Sequence, residues 1–272
     1  MEKKITLCGH RGWRAKYPEN TMRGFREVLK LDIDAIEMDV HMTKDYEIVI
    51  CHDADLSRTT DSTGKIHELT LEEVRKADAG IRFGEEFRGE KVPTFNEFLE
   101  LMATRPDIML LLELKDYPEQ LGDFAYASAE RTLSLCREYG LFGKDRLTVI
   151  TFSTAMCAWL RTRYTREDFL LHGFYPKSCM LGYAADDPYK YYDEVCIFTD
   201  NEKDPKDSPL ADPARFKEFA LMGIKPCVGF GPLADEELLR QTVAYGAKGL
   251  TTDCPDLCGE ILDKLGARKL KK

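Results

Sequence analysis

Four short clusters in this chain carry side chains that could together handle a metal ion, a phosphate and a proton. They are His10-Arg11-Gly12, then Pro18-Glu19-Asn20-Thr21, then Glu37, Asp39, His52 and Asp53, and finally Glu113-Leu114-Lys115. Glu37, Asp39 and Glu113 offer hard carboxylate oxygens of the kind that hold Mg²⁺ or Ca²⁺. Arg11 and Lys115 are cations suited to a phosphate, arginine as a bidentate fork and lysine as a point charge. Unperturbed imidazoles titrate near neutrality, so His10 and His52 can give and take protons there. A dication, two phosphate-binding cations and two imidazoles are the parts that phosphodiester cleavage requires. Metal and cations offset charge on the transition state, while the histidines manage nucleophile and leaving group. Singly, each cluster has a plainer reading. Asn20 or Glu19 would cap a helix, and Lys115 would be solvated. His41, His67 and His172 are assigned to the surface or to satisfied core positions.

The elements around these clusters must bring them together. Nine short apolar runs read as strands: Ile5–Cys8, Ala35–Val40, Glu47–Cys51, Ile108–Leu114, Leu147–Phe152, Phe169–Leu171, Glu194–Thr199, Lys225–Val228 and Gly249–Thr252. Amphipathic segments lie between them, among them Asn20–Leu31, Phe124–Tyr139, Ala155–Arg163, Pro213–Met222 and Glu236–Tyr245. Alternating strand and helix implies parallel pairing through right-handed crossovers, and eight repeats in a chain this long fit a TIM (β/α)8 barrel. The ninth run is accounted for by a hairpin between Glu37 and His52, turning at Lys44-Asp45 or Asp45-Tyr46. The first turn sets Glu37 opposite His52, and the second sets Asp39 there. Both registers put Glu37, Asp39 and His52 on one face. In a parallel barrel the active site lies at the strands' C-terminal ends, where all four clusters fall.

Residues 54–105 interrupt this rhythm and are expected to form a small insertion or lid on an otherwise single domain spanning 1–272. Helices are expected there at Leu69–Lys76 and Thr94–Thr104. A second loop, Asp200–Asp212, is expected to be solvated. The 272 residues include 39 basic and 48 acidic side chains, a net charge of −9 that gives no support to nucleic-acid binding. No apolar run approaches the roughly 20 residues of a membrane helix. Nine scattered cysteines without a C-x-x-C pair suit a reducing compartment, and no apolar leader is visible, so a cytoplasmic location is expected.

The stretches GHRGWRAKYPENT, AIEMDVHMTKDYEIVICHDADLSRTT and LLLELK together resemble the glycerophosphodiester phosphodiesterase family. DAGIRFGEEFRGEKVPTFNEFLELM and GAKGLTTDCPD are similar to that family's insertion and final strand. The resemblance implies a TIM barrel with a small insertion subdomain. It also implies hydrolysis of glycerophosphodiesters to glycerol 3-phosphate and an alcohol. Carried over by residue, it makes Glu37, Asp39 and Glu113 ligands of Mg²⁺ or Ca²⁺, with Glu19 as a candidate fourth. His10 and His52 become the acid–base pair, and Arg11 and Lys115 the phosphate contacts. A related phosphodiesterase or phospholipase-type activity on a lipid head group is the alternative reading. The chain departs from the family pattern at two points. Tyr46 stands where the hairpin turn usually has glycine, and Cys227 stands where the family carries a tryptophan wall, with Phe230 a candidate to compensate.

Overall fold

A computed structural model of the chain describes residues 5–198 and 210–268. The expected loop at 200–212 therefore lies outside the described residues for all but its last three positions. Nine strands are present: β1 (Thr6–Gly9), β2 (Ala35–Met42), β3 (Ile48–Ile50), β4 (Met109–Leu114), β5 (Leu147–Ile150), β6 (Leu170–Tyr175), β7 (Glu194–Ile197), β8 (Lys225–Gly229) and β9 (Gly249–Thr252). Eight of them close a parallel ring, with β1 paired to both β9 and β2. Among the described strands only β3 is antiparallel, laid on the far end of β2. The surplus run is thus the second arm of a hairpin, and the fold is a TIM barrel.

Helices sit between the strands: α1 (Met22–Val28), α2 (Leu71–Val74), α3 (Phe95–Ala103), α4 (Pro118–Leu121), α5 (Asp123–Glu138), α6 (Thr154–Arg163), α7 (Pro213–Leu221), α8 (Glu236–Ala244) and α9 (Pro255–Lys264). Their starts are written in local chemistry. Thr21, not Asn20 or Glu19, caps α1: its Oγ1 accepts from the Gly24 N–H at 3.1 Å. Thr70-x-x-Glu73 and Thr94-x-x-Glu97 form reciprocal capping boxes at α2 and α3. The main core joins the barrel strands to their helices, and α3 contributes Phe95, Phe98, Leu99 and Met102 to it. A second, smaller cluster joins Val49 and Cys51 to Leu56, Ile66, Val74, Ala77, Ala79 and Val92. The segment between β3 and α3 therefore has an apolar centre of its own, rooted on the hairpin.

The hairpin register differs from both expected ones. Val40 pairs with Ile50, His41 with Val49 and Met42 with Ile48. Three residues, Lys44, Asp45 and Tyr46, make the turn, closed by the Thr43 N–H to Glu47 carbonyl bond of 2.8 Å. Tyr46 takes φ of +65°, the left-handed conformation for which glycine is the usual choice. Extended in this register, the ladder would set His52 opposite Met38, away from the carboxylates. It does not extend: pairing stops at Ile50, Cys51 is buried in the second cluster, and His52 leaves the sheet.

Candidate active site

Parallel register assembles the acidic group. Asp39 on β2 lies beside Glu113 on β4, and Glu37 stands two residues earlier on the same inward face of β2. One carboxylate oxygen from each of Glu37, Asp39 and Glu113 lies within 4.8 Å of the other two, and all three residues are buried. That spacing fits the oxygen sphere of a single hard dication. The charge also fits. Asp39 Oδ1 makes no hydrogen bond, and its compensation is the Lys115 ammonium 3.2 Å away. Lys115 Nζ also lies 2.5 Å from Glu113 Oε1. Burial and the charge of Asp39 push Glu37 well above the usual carboxylate range. Burial likewise raises Glu113, although Lys115 opposes it. Burial would raise Asp39 too, but Lys115 and Arg11 hold it below its ordinary value. Three buried carboxylates facing one another are therefore under-neutralised, which is the condition a dication relieves.

The loop after β1 delivers the next two groups. Gly9 ends the strand where a Cβ would meet the Gly12 carbonyl oxygen at 2.6 Å and Val28 at 2.8 Å, so the loop can fold back only over glycine. Arg11 and Asn20 both adopt left-handed conformations, φ +53° and +55°, and Asn20 N–H donates to the Arg11 carbonyl at 3.0 Å. This geometry aims the Arg11 N–H at Glu37 Oε2 (3.0 Å) and the Asn20 side-chain amide at Asp39 Oδ2 (2.8 Å). His10 is held from behind: its Nδ1 is 2.6 Å from Asp253 Oδ1, while Nε2 faces Glu37 Oε2 at 3.8 Å. His52 has the same arrangement, with Nδ1 2.5 Å from Asp53 Oδ1. Burial pushes the His52 imidazole down to about 4, against the pull of Asp39.

Glu19 is not part of the carboxylate group. Its two oxygens accept from Arg11 (2.8 Å), Arg14 (3.0 Å) and Arg58 (2.7 and 3.0 Å). Burial would raise it, yet Arg58 and Arg11 hold it well below the usual range. Arg58, on the segment after the hairpin, also ion-pairs with Asp53 and so ties that segment to the His52 turn.

His10, Arg11, Glu37, His52, Glu113 and Lys115 all line one cavity of about 270 Å³ at the C-terminal end of the barrel. Its opposite wall is apolar. Phe152, Phe174 and Phe198 stack in series, with centroids 3.7 and 5.5 Å apart, and Phe230 completes the lining. Cys227 is not in this wall; it faces a separate cavity deeper in the barrel. Three contributors escaped the sequence reading. Asp253 sits one residue beyond the β9 run, Asn20 stood in a cluster but was given no role beyond capping, and the phenylalanines sit on β6 and just past the ends of β5 and β7, whose apolar runs carry no chemical signature. His41 is a satisfied core residue, its Nδ1 2.7 Å from Asp116.

The model of the glycerophosphoryl diester phosphodiesterase family matches residues 10–257. A glycerophosphodiester phosphodiesterase of Caldanaerobacter subterraneus is 37% identical over 151 residues, 55% of this chain and 59% of that protein. The chain aligns with about half the length of the first few curated relatives, between 45% and 59%. The fold matches a crystal structure from Silicibacter pomeroyi, assigned as a glycerophosphoryl diester phosphodiesterase, with a TM-score of 0.80, 23% identity and coverage of 99% of this chain and 97% of that one. An Oleispira antarctica phosphodiesterase, solved in complex with its product sn-glycerol-3-phosphate, matches with a TM-score of 0.76 and 22% identity over 96% of this chain and 97% of that one. With nearly the whole described barrel matched, the chain belongs to the glycerophosphoryl diester phosphodiesterase family.

Proposed function

We propose that this chain hydrolyses glycerophosphodiesters to glycerol 3-phosphate and an alcohol, with a divalent metal, Mg²⁺ or Ca²⁺, held by Glu37, Asp39 and Glu113. The observation that carries the proposal is the grouping of three buried carboxylates, of which Glu37 and Glu113 line the cavity, with two imidazoles and two cations on the same cavity. A bound dication would supply Lewis-acid charge to a phosphate oxygen. Arg11 and Lys115 orient the phosphodiester and offset its charge, which calls for a substrate anion to displace part of their pairing with Glu19, Asp39 and Glu113. His10 and His52 move the protons of nucleophile and leaving group. Each is fixed through Nδ1 by an aspartate, so Nε2 is the working atom. The phenylalanine wall takes the apolar face of the glycerol moiety and keeps bulk water from the phosphate.

Within the expected 54–105 insertion, the part before α3 acts as a cover over the site rim, held by the Arg58 pairs to Glu19 and Asp53, while α3 itself belongs to the barrel core. Eight buried free thiols support a reducing, cytoplasmic setting, and no described helix is long and apolar enough to cross a membrane. The test uses purified protein against glycerophosphodiesters bearing choline, ethanolamine, glycerol and inositol, with release of glycerol 3-phosphate measured under each metal. Release from at least one of them supports the proposal. Cleavage of intact phospholipid head groups alone would replace it with the phospholipase reading.

A further inference from the structure

Beneath the catalytic mouth the barrel holds a second polar group of different chemistry. His172 on β6, Glu194 on β7 and Cys227 on β8 each offer one ligand atom, and the three atoms lie within 4.8 Å of one another. Strand register makes this a built arrangement: His172 is directly beside Glu194, and Cys227 lies two residues along from Lys225, the neighbour of Glu194. They line a cavity of about 280 Å³ that reaches Lys144, Lys225 and Lys248. The His172 ring lines this cavity and the catalytic mouth alike.

Two further observations point to a ligand. His172 is 5% exposed, yet its Nδ1 has no hydrogen-bond partner. It stands 3.5 Å from Glu194 Oε2, in an ion-pair contact only. A buried imidazole nitrogen that meets its nearest carboxylate only at the limit of hydrogen-bond reach is left without a well-made partner. Second, room is kept for the sulfur. A Cβ on Gly249 would come within 3.0 Å of Cys227 Sγ, so glycine there leaves the thiol its position. Glu194 Oε1 is already held by Lys225 Nζ at 3.3 Å, while Oε2 is the oxygen that approaches His172.

We propose that His172 Nδ1, Glu194 Oε2 and Cys227 Sγ bind a second divalent ion of the borderline class represented by Zn²⁺, with water from the cavity as fourth ligand. The donor set sorts the two sites. Three carboxylate oxygens at the mouth suit a hard ion, whereas nitrogen, sulfur and one oxygen suit zinc and disfavour Mg²⁺ and Ca²⁺. One carboxylate and one thiolate neutralise the dication, and the thiol proton leaves to solvent as the Sγ–metal bond forms. A bound ion would tie β6, β7 and β8 together in the barrel interior.

The test is a titration of the full chain with Co²⁺ in the presence of saturating Mg²⁺, followed by competition with Zn²⁺. The expected result is one equivalent of Co²⁺ with a thiolate-to-cobalt charge-transfer band that Zn²⁺ abolishes. The band should persist in Glu113→Gln, which removes a mouth ligand, disappear in Cys227→Ser, and need at least tenfold more Co²⁺ in His172→Gln. Persistence in glycerophosphodiesterase-inactive protein would leave this inference standing while the proposed activity fell. A band unchanged in folded Cys227→Ser, or Co²⁺ bound without sulfur, would overturn it. Should the variants not fold, X-ray absorption at the zinc edge of the wild-type protein decides: sulfur and imidazole in the first shell support the site, and oxygen alone refutes it.

Discussion

Replacing Lys115 by methionine tests whether the three carboxylates are poised for a dication. Lys115 is nearly buried, its side chain 9% exposed, and is the direct counter-ion of both Glu113 and Asp39. Removing one partner of a buried ion pair costs about 3–5 kcal/mol, because the remaining charge is left uncompensated. For a chain of this size that corresponds to a Tm loss of roughly 6–20 °C in chelator. The carboxyls can soften the loss by taking up protons, which sets its pH dependence. Without Lys115 the folded-state value of Glu113, already raised by burial, rises further, and that of Asp39, now held down only by Arg11 among its close cations, rises with it. Stability is then fully present below the unfolded carboxylate range and is lost as pH rises through the folded values, so the deficit grows as pH climbs above the ordinary carboxylate range. Mg²⁺ should reverse it. At a hundredfold excess over Kd a ligand adds about 2.7 kcal/mol, and in the variant the ion no longer competes with an ammonium for the same oxygens. Thermal unfolding of wild type and Lys115→Met, each in chelator and in Mg²⁺, is the assay. A larger Mg²⁺-induced rise in the variant is expected. Equal Tm losses with and without metal would refute the reasoning.

Other outcomes follow from the same geometry. His10→Ala and His52→Ala should each lower turnover about 10²–10⁴-fold with the fold intact by circular dichroism; normal turnover in either would remove that residue from the mechanism. Asp253→Asn should lower turnover by a comparable factor, roughly 10²–10⁴-fold, because His10 loses the partner that fixes its tautomer, and an undiminished rate would dismiss Asp253 as a positioning residue. The His52 ring, pushed by burial to about 4, should stay neutral from pH 8 down to pH 5 when followed by NMR; protonation near 6.5 would contradict its placement. The sign for stability is that of a depressed imidazole: its contribution is present above 6.5 and lost as pH falls toward 4. Phe230→Ala should raise KM more than it lowers kcat, since an apolar ring in the cavity lining contributes to binding rather than to proton or charge chemistry.

The barrel itself was legible in the alternation of apolar runs and amphipathic segments, because parallel strands and their helices impose different periods on one chain. The acidic group was legible for a related reason. Glu37 and Asp39 share a strand face, and a carboxylate ending the very apolar run to Leu112 has few structural uses. The way His52 reaches the site was not legible. A two-residue turn is the simplest hairpin, but Tyr46 accepts a left-handed backbone and makes the turn three residues long. The ladder then shifts by one position, and the imidazole arrives through chain departure after Ile50 instead of by strand alternation. Helix α9 was missed although Pro255 opens it at a favoured position. Asp253 and the stacked phenylalanines were hidden because their meaning depends on closure of the barrel, which sets β9 beside β1 and lines up the ends of β5, β6 and β7. Local sequence carries propensity and parity; it does not carry which distant strand ends share a mouth.

The most direct test of the central claim pairs metal binding with turnover in one variant. Isothermal titration of Mg²⁺ or Ca²⁺ into wild type and Glu113→Gln, with glycerol 3-phosphate release followed on the same samples, should give one hard-ion site in the wild type. Affinity and activity should fall together in the variant. Full activity in chelator, or a variant that loses metal but keeps its rate, would contradict the account.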